Sequence, residues 1–135
     1  MPSFARFLVF AVVISATTFN VCTAQRTIGS TDVRDPALMG LLADGGKIEV
    51  LASGFTWCEG PVWVPKGGYL LFSDIPRNSI FRWDSAAGIQ LFMRPSGYTG
   101  VEFYGLEPGT NGLALDGHGQ LMMCEHGDRR VSVLI

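Results

Sequence analysis

Two oxygen-bearing side chains occupy matching places in two similar stretches of the sequence. Glu59 in CEGPVWV and Asn111 in TNGLALD each stand directly before a glycine and a short apolar run. Carboxylate and amide oxygens are hard donors that calcium and magnesium prefer, whereas a transition-metal site more often contains histidine or cysteine. The pattern therefore predicts that Glu59 and Asn111 are metal ligands, provided that the fold brings the two stretches together.

Each of these residues also has a purely structural interpretation. The Glu59 carboxylate can bond backbone N–H groups at the start of a strand, and Asn111 can serve as a turn residue because an Asn-Gly pair tolerates a positive φ. Both interpretations stay open at the level of the sequence.

A histidine is the third candidate site residue. His126 ends the apolar run LMMCEH and is predicted to contact a substrate; the alternative is a surface histidine in the turn HGDRR. The sixteen-residue loop PSGYTGVEFYGLEPGT lies earlier in the chain and contains Tyr98 and Tyr104. These tyrosines could cover a substrate or pack the loop on a neighbouring element.

Short β-strands are the elements that must position these residues. From Lys47 onward, runs rich in β-branched and aromatic residues alternate with turn-forming segments such as PKGG, PRN and SAAG, a pattern typical of strands. The runs are KIEVLASG, GPVWV, YLLFSD, SIFRWD and IQLFM, and, after the loop, GLALD, LMMCEH and VSVLI. No long segment has helical periodicity, so the predicted fold class is all-β.

An internal repeat indicates the architecture. An offset of 52 residues aligns Glu59 with Asn111, Gly60 with Gly112, and the run YLLFSD with LMMCEH. Four short strands in about fifty residues is the unit of a β-propeller blade, and such blades surround a central channel. Residues at equivalent positions of the innermost strands are therefore expected to face the channel.

The predicted organisation has three parts. Residues 1–24 form a signal peptide, residues 25–46 an irregular lead-in, and residues 47–135 an incomplete propeller, with a first blade at about 47–94 and a second from about 111. Because an open propeller would expose a sheet edge, we expect the chain to be the N-terminal part of a protein of roughly 300 residues or more.

The N-terminal segment indicates where the protein is located. MPSFAR, the apolar run FLVFAVVISA and the small residues before Gln25 follow the pattern of a secretory signal peptide. A secreted or periplasmic protein with no membrane association after cleavage is expected, the alternative being a retained N-terminal anchor. The apolar run is well short of the roughly 20 residues that span a bilayer.

Composition and cysteine content exclude several classes of function. The chain is 47% hydrophobic, 16% charged and has a net charge of −2, which fits a globular unit and argues against nucleic-acid binding. Cys58 and Cys124 lie in or beside apolar runs and are predicted to be buried free thiols rather than a disulfide. Neither has a cysteine or histidine at zinc-ligand spacing.

Several motifs together resemble a known family. EGPVW, YLLFSDIPRN, RPSGYTG, TNGLALD and CEHGDRRV occur in this order. With them, about residues 47 to 134 strongly resemble the gluconolactonase family, which also contains senescence marker protein (regucalcin) and luciferin-regenerating enzyme.

The resemblance implies a fold, an activity and ligand positions. It implies a six-bladed β-propeller with a divalent cation on its axis, expected to be calcium with magnesium and zinc as alternatives, and hydrolysis of a small-molecule sugar lactone. By position, Glu59 would be the first-blade metal ligand and Asn111 the second-blade ligand. The family's remaining ligands, an Asn and an Asp, are expected beyond Ile135. That Asp is the usual proposed base, so the catalytic residue is not assigned, and we expect the fragment alone to bind calcium weakly and to be inactive.

Other functions remain open to the sequence. Propeller folds also host binding and sensing modules without catalysis. A strictosidine-synthase-like or phosphotriesterase-like enzyme is a further alternative. The oligomeric state is not predicted.

Overall fold

The computed structural model describes residues 26–135, which form an all-β structure. This confirms the predicted fold class. The signal peptide predicted at residues 1–24 lies outside the described residues. Two short 3-10 helices accompany the strands, at Pro36–Leu41 and Ile75–Arg77. The strands are β1 (Cys58–Val64), β2 (Tyr69–Asp74), β3 (Ser79–Asp84), β4 (Gly88–Met93), β5 (Thr110–Leu115), β6 (Leu121–Glu125) and β7 (Arg130–Leu134).

The strands form two antiparallel sheets in which each strand pairs with its neighbour in sequence. The first sheet has the order β1-β2-β3-β4 and the second the order β5-β6-β7. Short hairpin turns allow this arrangement, since antiparallel neighbours need only a few connecting residues. Two consecutive sheets of this kind are what the repeat predicted for successive blades. The number of blades stays a prediction.

An apolar layer holds the two sheets together. Leu71 and Ile80 of the first sheet are buried in one cluster with Leu121 and Met123 of the second. Alternate residues of a strand point to opposite faces, so these side chains share the inner faces of their sheets. Burying each of them fully stabilises the fold by about 1.5–3 kcal/mol relative to exposure.

Buried hydroxyl groups form a second connection between the sheets. Ser73 at the end of β2 places its Oγ 2.8 Å from Oγ1 of Thr110, the first residue of β5. The same Ser73 hydroxyl donates to the backbone oxygen of Asn111 at 3.1 Å. Ser96, in the loop between the sheets, lies 3.3 Å from Thr110 Oγ1. Each buried hydroxyl thus has a hydrogen-bond partner, which offsets the cost of removing it from water.

The pairing register supports the repeat. Glu59 pairs with Ser73 in the first sheet, and Thr110 pairs with Glu125 in the second. Cys58 pairs with Asp74, the last residue of β2, just as Thr110 pairs with the last residue of β6, and Cys58 and Thr110 are 52 positions apart. Glu59 and Asn111 therefore hold the same place, one residue after the partner of the last residue of the adjacent strand.

The run KIEVLASG does not form a strand, contrary to expectation. Its regular pairing is limited to an isolated bridge between Thr27 and Glu49. Two backbone bonds flank the bridge, from Ile28 N to Ile48 O and from Val50 N to Arg26 O. The run pairs only with this short segment and has no partner in either sheet, so an apolar composition alone was insufficient.

The exposure of the two cysteines differs from the prediction. Cys58 and Cys124 are free thiols, as predicted, but both are exposed rather than buried. Cys58 is the first residue of β1, and Cys124 lies on the face of β6 opposite the buried Met123. Partial burial, followed by the nearby Asp74 carboxylate, raises the pKa of the Cys58 thiol.

Within residues 26–135, neither 3-10 helix has the length and apolar character required to cross a bilayer.

Candidate functional site

The predicted site residues lie at one end of the two sheets. β1 and β5 begin at this end, whereas β2 and β6 finish there. Glu59 and Asn111 are the second residues of β1 and β5, and His126 directly follows β6. The antiparallel topology therefore places all three at the same edge, as the repeat predicted.

The approach of β1 to β5 at this edge is very close. A Cβ atom added to Gly60 would lie 2.2 Å from the backbone oxygen of Asn111 and 3.0 Å from the Cα of Gly112. Gly60 also has a φ of +57°, a conformation that glycine adopts without steric penalty. The glycine after Glu59 thus allows β1 to approach the backbone of β5 at Asn111.

Glu59 and Asn111 line different cavities. Glu59 lies in a groove of about 360 Å³ on the face of the first sheet that points away from the second. Asn111 is exposed and lines an open depression of about 440 Å³ with Glu125, His126 and Arg130. The close approach between the two stretches is made by Gly60, the residue after Glu59, and the backbone of Asn111.

The donor chemistry of Glu59 and Asn111 fits a hard cation. One carboxylate and one amide suit calcium or magnesium better than a soft transition metal. Residues 26–135 contain no cluster of three or more His, Cys, Asp or Glu side chains that could hold a metal. Since calcium takes six to eight oxygen ligands, these two residues can supply only part of a coordination shell.

The ring of His126 is fixed in one orientation. Its Nδ1 lies 2.8 Å from the backbone oxygen of Glu107, and the Tyr104 hydroxyl donates to the His126 backbone oxygen at 3.1 Å. A carbonyl oxygen can only accept, so Nδ1 carries the proton in this bond. In the neutral ring, Nε2 is therefore left as the hydrogen-bond acceptor.

The long loop packs on the end of the second sheet. The rings of Tyr98 and Tyr104 lie 5.0 Å apart, and Tyr104 also packs edge-on against His126 at 6.0 Å. The Asn78 side chain anchors the loop: its Oδ1 accepts hydrogen bonds from three backbone N–H groups, and its Nδ2 donates to the backbone oxygen of Tyr98. Of the two alternatives for these tyrosines, the contacts favour packing on a neighbouring element.

A buried carboxylate lies below the depression. Glu125 accepts hydrogen bonds from Arg130 Nε at 2.5 Å and from the Ser132 hydroxyl. Arg130 Nη2 also lies 3.3 Å from Asp128 Oδ2 in the turn between β6 and β7. Glu125 is thus fully paired, and its negative charge is balanced by Arg130.

Sequence comparison identifies the family. The profile described as the SMP-30/Gluconolactonase/LRE-like region matches residues 57–134, more than half of the chain. The chain belongs to this family.

Three members show how far the similarity extends. The gluconolactonase of Zymomonas mobilis subsp. mobilis is 39% identical over 107 residues, which cover 78% of this chain and 30% of that protein. An X-ray structure of a protein assigned to the gluconolactonases has a TM-score of 0.60 at 31% identity, covering 82% of this chain and 32% of that one. A Xanthomonas campestris structure, described as a gluconolactonase important in glucose secondary metabolic pathways, has a TM-score of 0.53 at 25% identity, covering 64% and 25%. The chain thus spans about a third or less of the length of each relative.

Two residues at the site of this gluconolactonase-family chain, Trp57 and Glu107, were not predicted from the sequence. Trp57 donates from its indole Nε1 to Glu59 Oε1 at 3.1 Å. Glu107 holds the His126 ring through its backbone oxygen. The two-residue spacing of Trp57 and Glu59, which places side chains on one face of an extended chain, could have revealed the first. No local sequence pattern predicts the role of Glu107, because its contact with His126 depends on how the loop folds back.

Asp128 ties the long loop to the turn that follows β6, and its replacement tests the packing of the loop on the second sheet. Asp128 accepts from the Thr99 N–H at 3.1 Å and from its hydroxyl at 2.8 Å, and these bonds hold the pKa of Asp128 below its usual value. The stabilisation is therefore present above the ordinary aspartate pKa of about 3.9 and is lost as the pH falls through the lower folded-state pKa. We expect Asp128→Ala to lower the protection factor of the Thr99 amide against hydrogen exchange at neutral pH, and acidification to lower this protection factor in the wild type. Asp84→Ala is the matched control, since Asp84 caps the β3-β4 turn instead. Unchanged Thr99 exchange in Asp128→Ala would contradict the anchoring role.

Proposed function

We propose that the whole protein hydrolyses a small-molecule sugar lactone with the help of a bound divalent cation. The observation that supports this most is the family match, since residues 57–134 include both sheets and all three predicted site residues. The relative from Zymomonas mobilis, named a gluconolactonase, supports the reaction class.

Glu59 and Asn111 are proposed as two of the cation ligands. Their oxygen donors favour calcium, with magnesium and zinc as alternatives. Water or further side chains would complete the shell. When bound, such a cation polarises a carbonyl oxygen and makes a water molecule more acidic. No catalytic base is assigned among residues 26–135.

His126 is proposed as a substrate-binding residue. Its Nδ1 bond to Glu107 leaves Nε2 as an acceptor at an open depression, where a hydroxyl group of a polyhydroxy lactone could donate to it. The edge-on contact with the Tyr104 ring supports the imidazole, and the Tyr104 hydroxyl holds the His126 backbone oxygen. This arrangement orients the substrate and does not require His126 to transfer a proton.

The location of the protein is part of the proposal. The signal-peptide pattern of residues 1–24 supports a secreted or periplasmic enzyme that acts on lactones outside the cytoplasm.

Lactone hydrolysis by the whole protein tests the proposed function. We expect release of acid from glucono-δ-lactone above the spontaneous rate, loss of this activity after chelation, and its return on addition of calcium. Wild-type protein incubated with a calcium-saturated chelator is the control. Full activity after complete metal removal would contradict the metal-assisted reaction. Lactone binding without turnover would favour a non-catalytic binding module.

A further inference from the structure

Trp57 forms a direct hydrogen bond with the proposed metal ligand Glu59. The residue directly precedes β1, and its indole Nε1 donates to Glu59 Oε1 at 3.1 Å. Within residues 26–135, Glu59 Oε2 accepts no hydrogen bond. The two carboxylate oxygens therefore differ, since one is held by the protein and the other is available.

The backbone of Trp57 is itself fixed on both sides. Its N–H donates to Asp74 Oδ1 at 3.0 Å, and its carbonyl oxygen accepts from Ile75 N at 3.1 Å. Asp74 is 0% exposed and also accepts from Thr56 N at 3.1 Å. A charged acceptor that bonds two successive N–H groups holds the chain in a defined conformation.

Arg77 completes this arrangement from the other side of Asp74. Its Nε lies 3.4 Å from Asp74 Oδ2, and its Nη2 donates to the backbone oxygen of Gly54 at 2.8 Å. Residues 54–57 are thus bound at both ends by two neighbouring side chains, Asp74 and Arg77. The position of the Trp57 indole follows from this fixed backbone.

We propose that Trp57, held in place by Asp74, is a positioning residue that orients the Glu59 carboxylate for cation binding. The proposal rests on Glu59 being a cation ligand, as in the proposed function. A glutamate side chain loses considerable rotamer freedom when it is ordered, and an indole N–H that fixes Oε1 beforehand reduces that cost. Partners that orient metal ligands typically change metal affinity by about 10–100-fold.

The calcium affinity of the whole protein with the change Trp57→Phe tests this role. Phenylalanine keeps an aromatic ring but removes the N–H donor, so we expect calcium affinity, measured by calorimetry, to fall about tenfold. The melting temperature should stay near that of the wild type, because Trp57 is 48% exposed. Trp63→Phe is the matched control, since Trp63 is 50% exposed in β1.

The possible outcomes separate the inference from the proposed function. Calcium binding by the wild type with equal affinity in Trp57→Phe would overturn only the positioning role. Absence of cation binding by the wild type would overturn the proposed metal site and the positioning role together. An equal loss of affinity in Trp57→Phe and Trp63→Phe would also overturn the role of the N–H donor.

A second measurement applies if Trp57→Phe does not fold. In the wild type, the Trp57 indole N–H resonance is expected to shift on calcium addition, while that of Trp63 stays constant. An unchanged Trp57 resonance at saturating calcium would contradict the proposal.

Discussion

Replacing Glu59 with glutamine in the whole protein is expected to lower kcat/KM for lactone hydrolysis by at least about 100-fold. Loss of a residue that only orients a ligand costs about 10–100-fold, so loss of a charged ligand should reach at least the upper end. Calcium affinity should fall in parallel. Glutamine has nearly the same shape, and its amide oxygen can still accept from the Trp57 indole, so the fold should be retained.

Glu49 provides a matched control for this experiment. It lines the same groove as Glu59 but belongs to the isolated bridge with Thr27 rather than to a sheet. Glu49→Gln should therefore leave kcat/KM and calcium affinity near the wild-type values. If Glu59→Gln keeps full activity that still survives a chelator, Glu59 is not a ligand and the reaction does not require the cation.

Replacing Gly60 with alanine is expected to destabilise the protein by about 3 kcal/mol or more. The left-handed backbone at φ +57° accounts for about 1–2 kcal/mol of this. The remainder arises because the new methyl group would lie 2.2 Å from the Asn111 oxygen, and neither backbone can move without disturbing a sheet. Urea unfolding measures the change through the shift of the midpoint.

Gly68→Ala separates the two contributions. Gly68 has a similar φ of +64°, yet nothing lies within 4 Å of a Cβ atom added there. This control should therefore show only the conformational cost of about 1–2 kcal/mol. Equal destabilisation by the two variants would mean that β1 and β5 do not meet closely at Gly60. Because Gly60 directly follows Glu59 and lies against Asn111, Gly60→Ala should also weaken calcium binding.

The strands were predictable from local sequence. The runs YLLFSD and SIFRWD coincide with β2 and β3, since apolar residues bounded by turn-forming residues specify both the strand and its ends. The run KIEVLASG has similar composition but only one bridge, because a strand also needs a partner of sufficient length. Composition thus predicted where a strand can form, and the presence of a neighbour decided whether it does.

The sequence by itself determined the all-β class, the family, and the identity of Glu59, Asn111 and His126 as candidate site residues. These features follow from residue type and spacing along the chain. Only the tertiary structure decided that β1 and β5 approach each other at Gly60, because the approach of two strands from separate sheets leaves no local signal.

The supporting contacts of the site likewise depended on the tertiary structure. Asp74 lies 17 positions from the Trp57 N–H that it binds, and Glu107 lies 19 positions from the His126 ring. Residues so far apart meet only because hairpins and a folded loop return the chain to the same edge of the sheets. The physical reason is that spacing along a strand specifies which face a side chain occupies, whereas its partners are specified by the packing of separate segments.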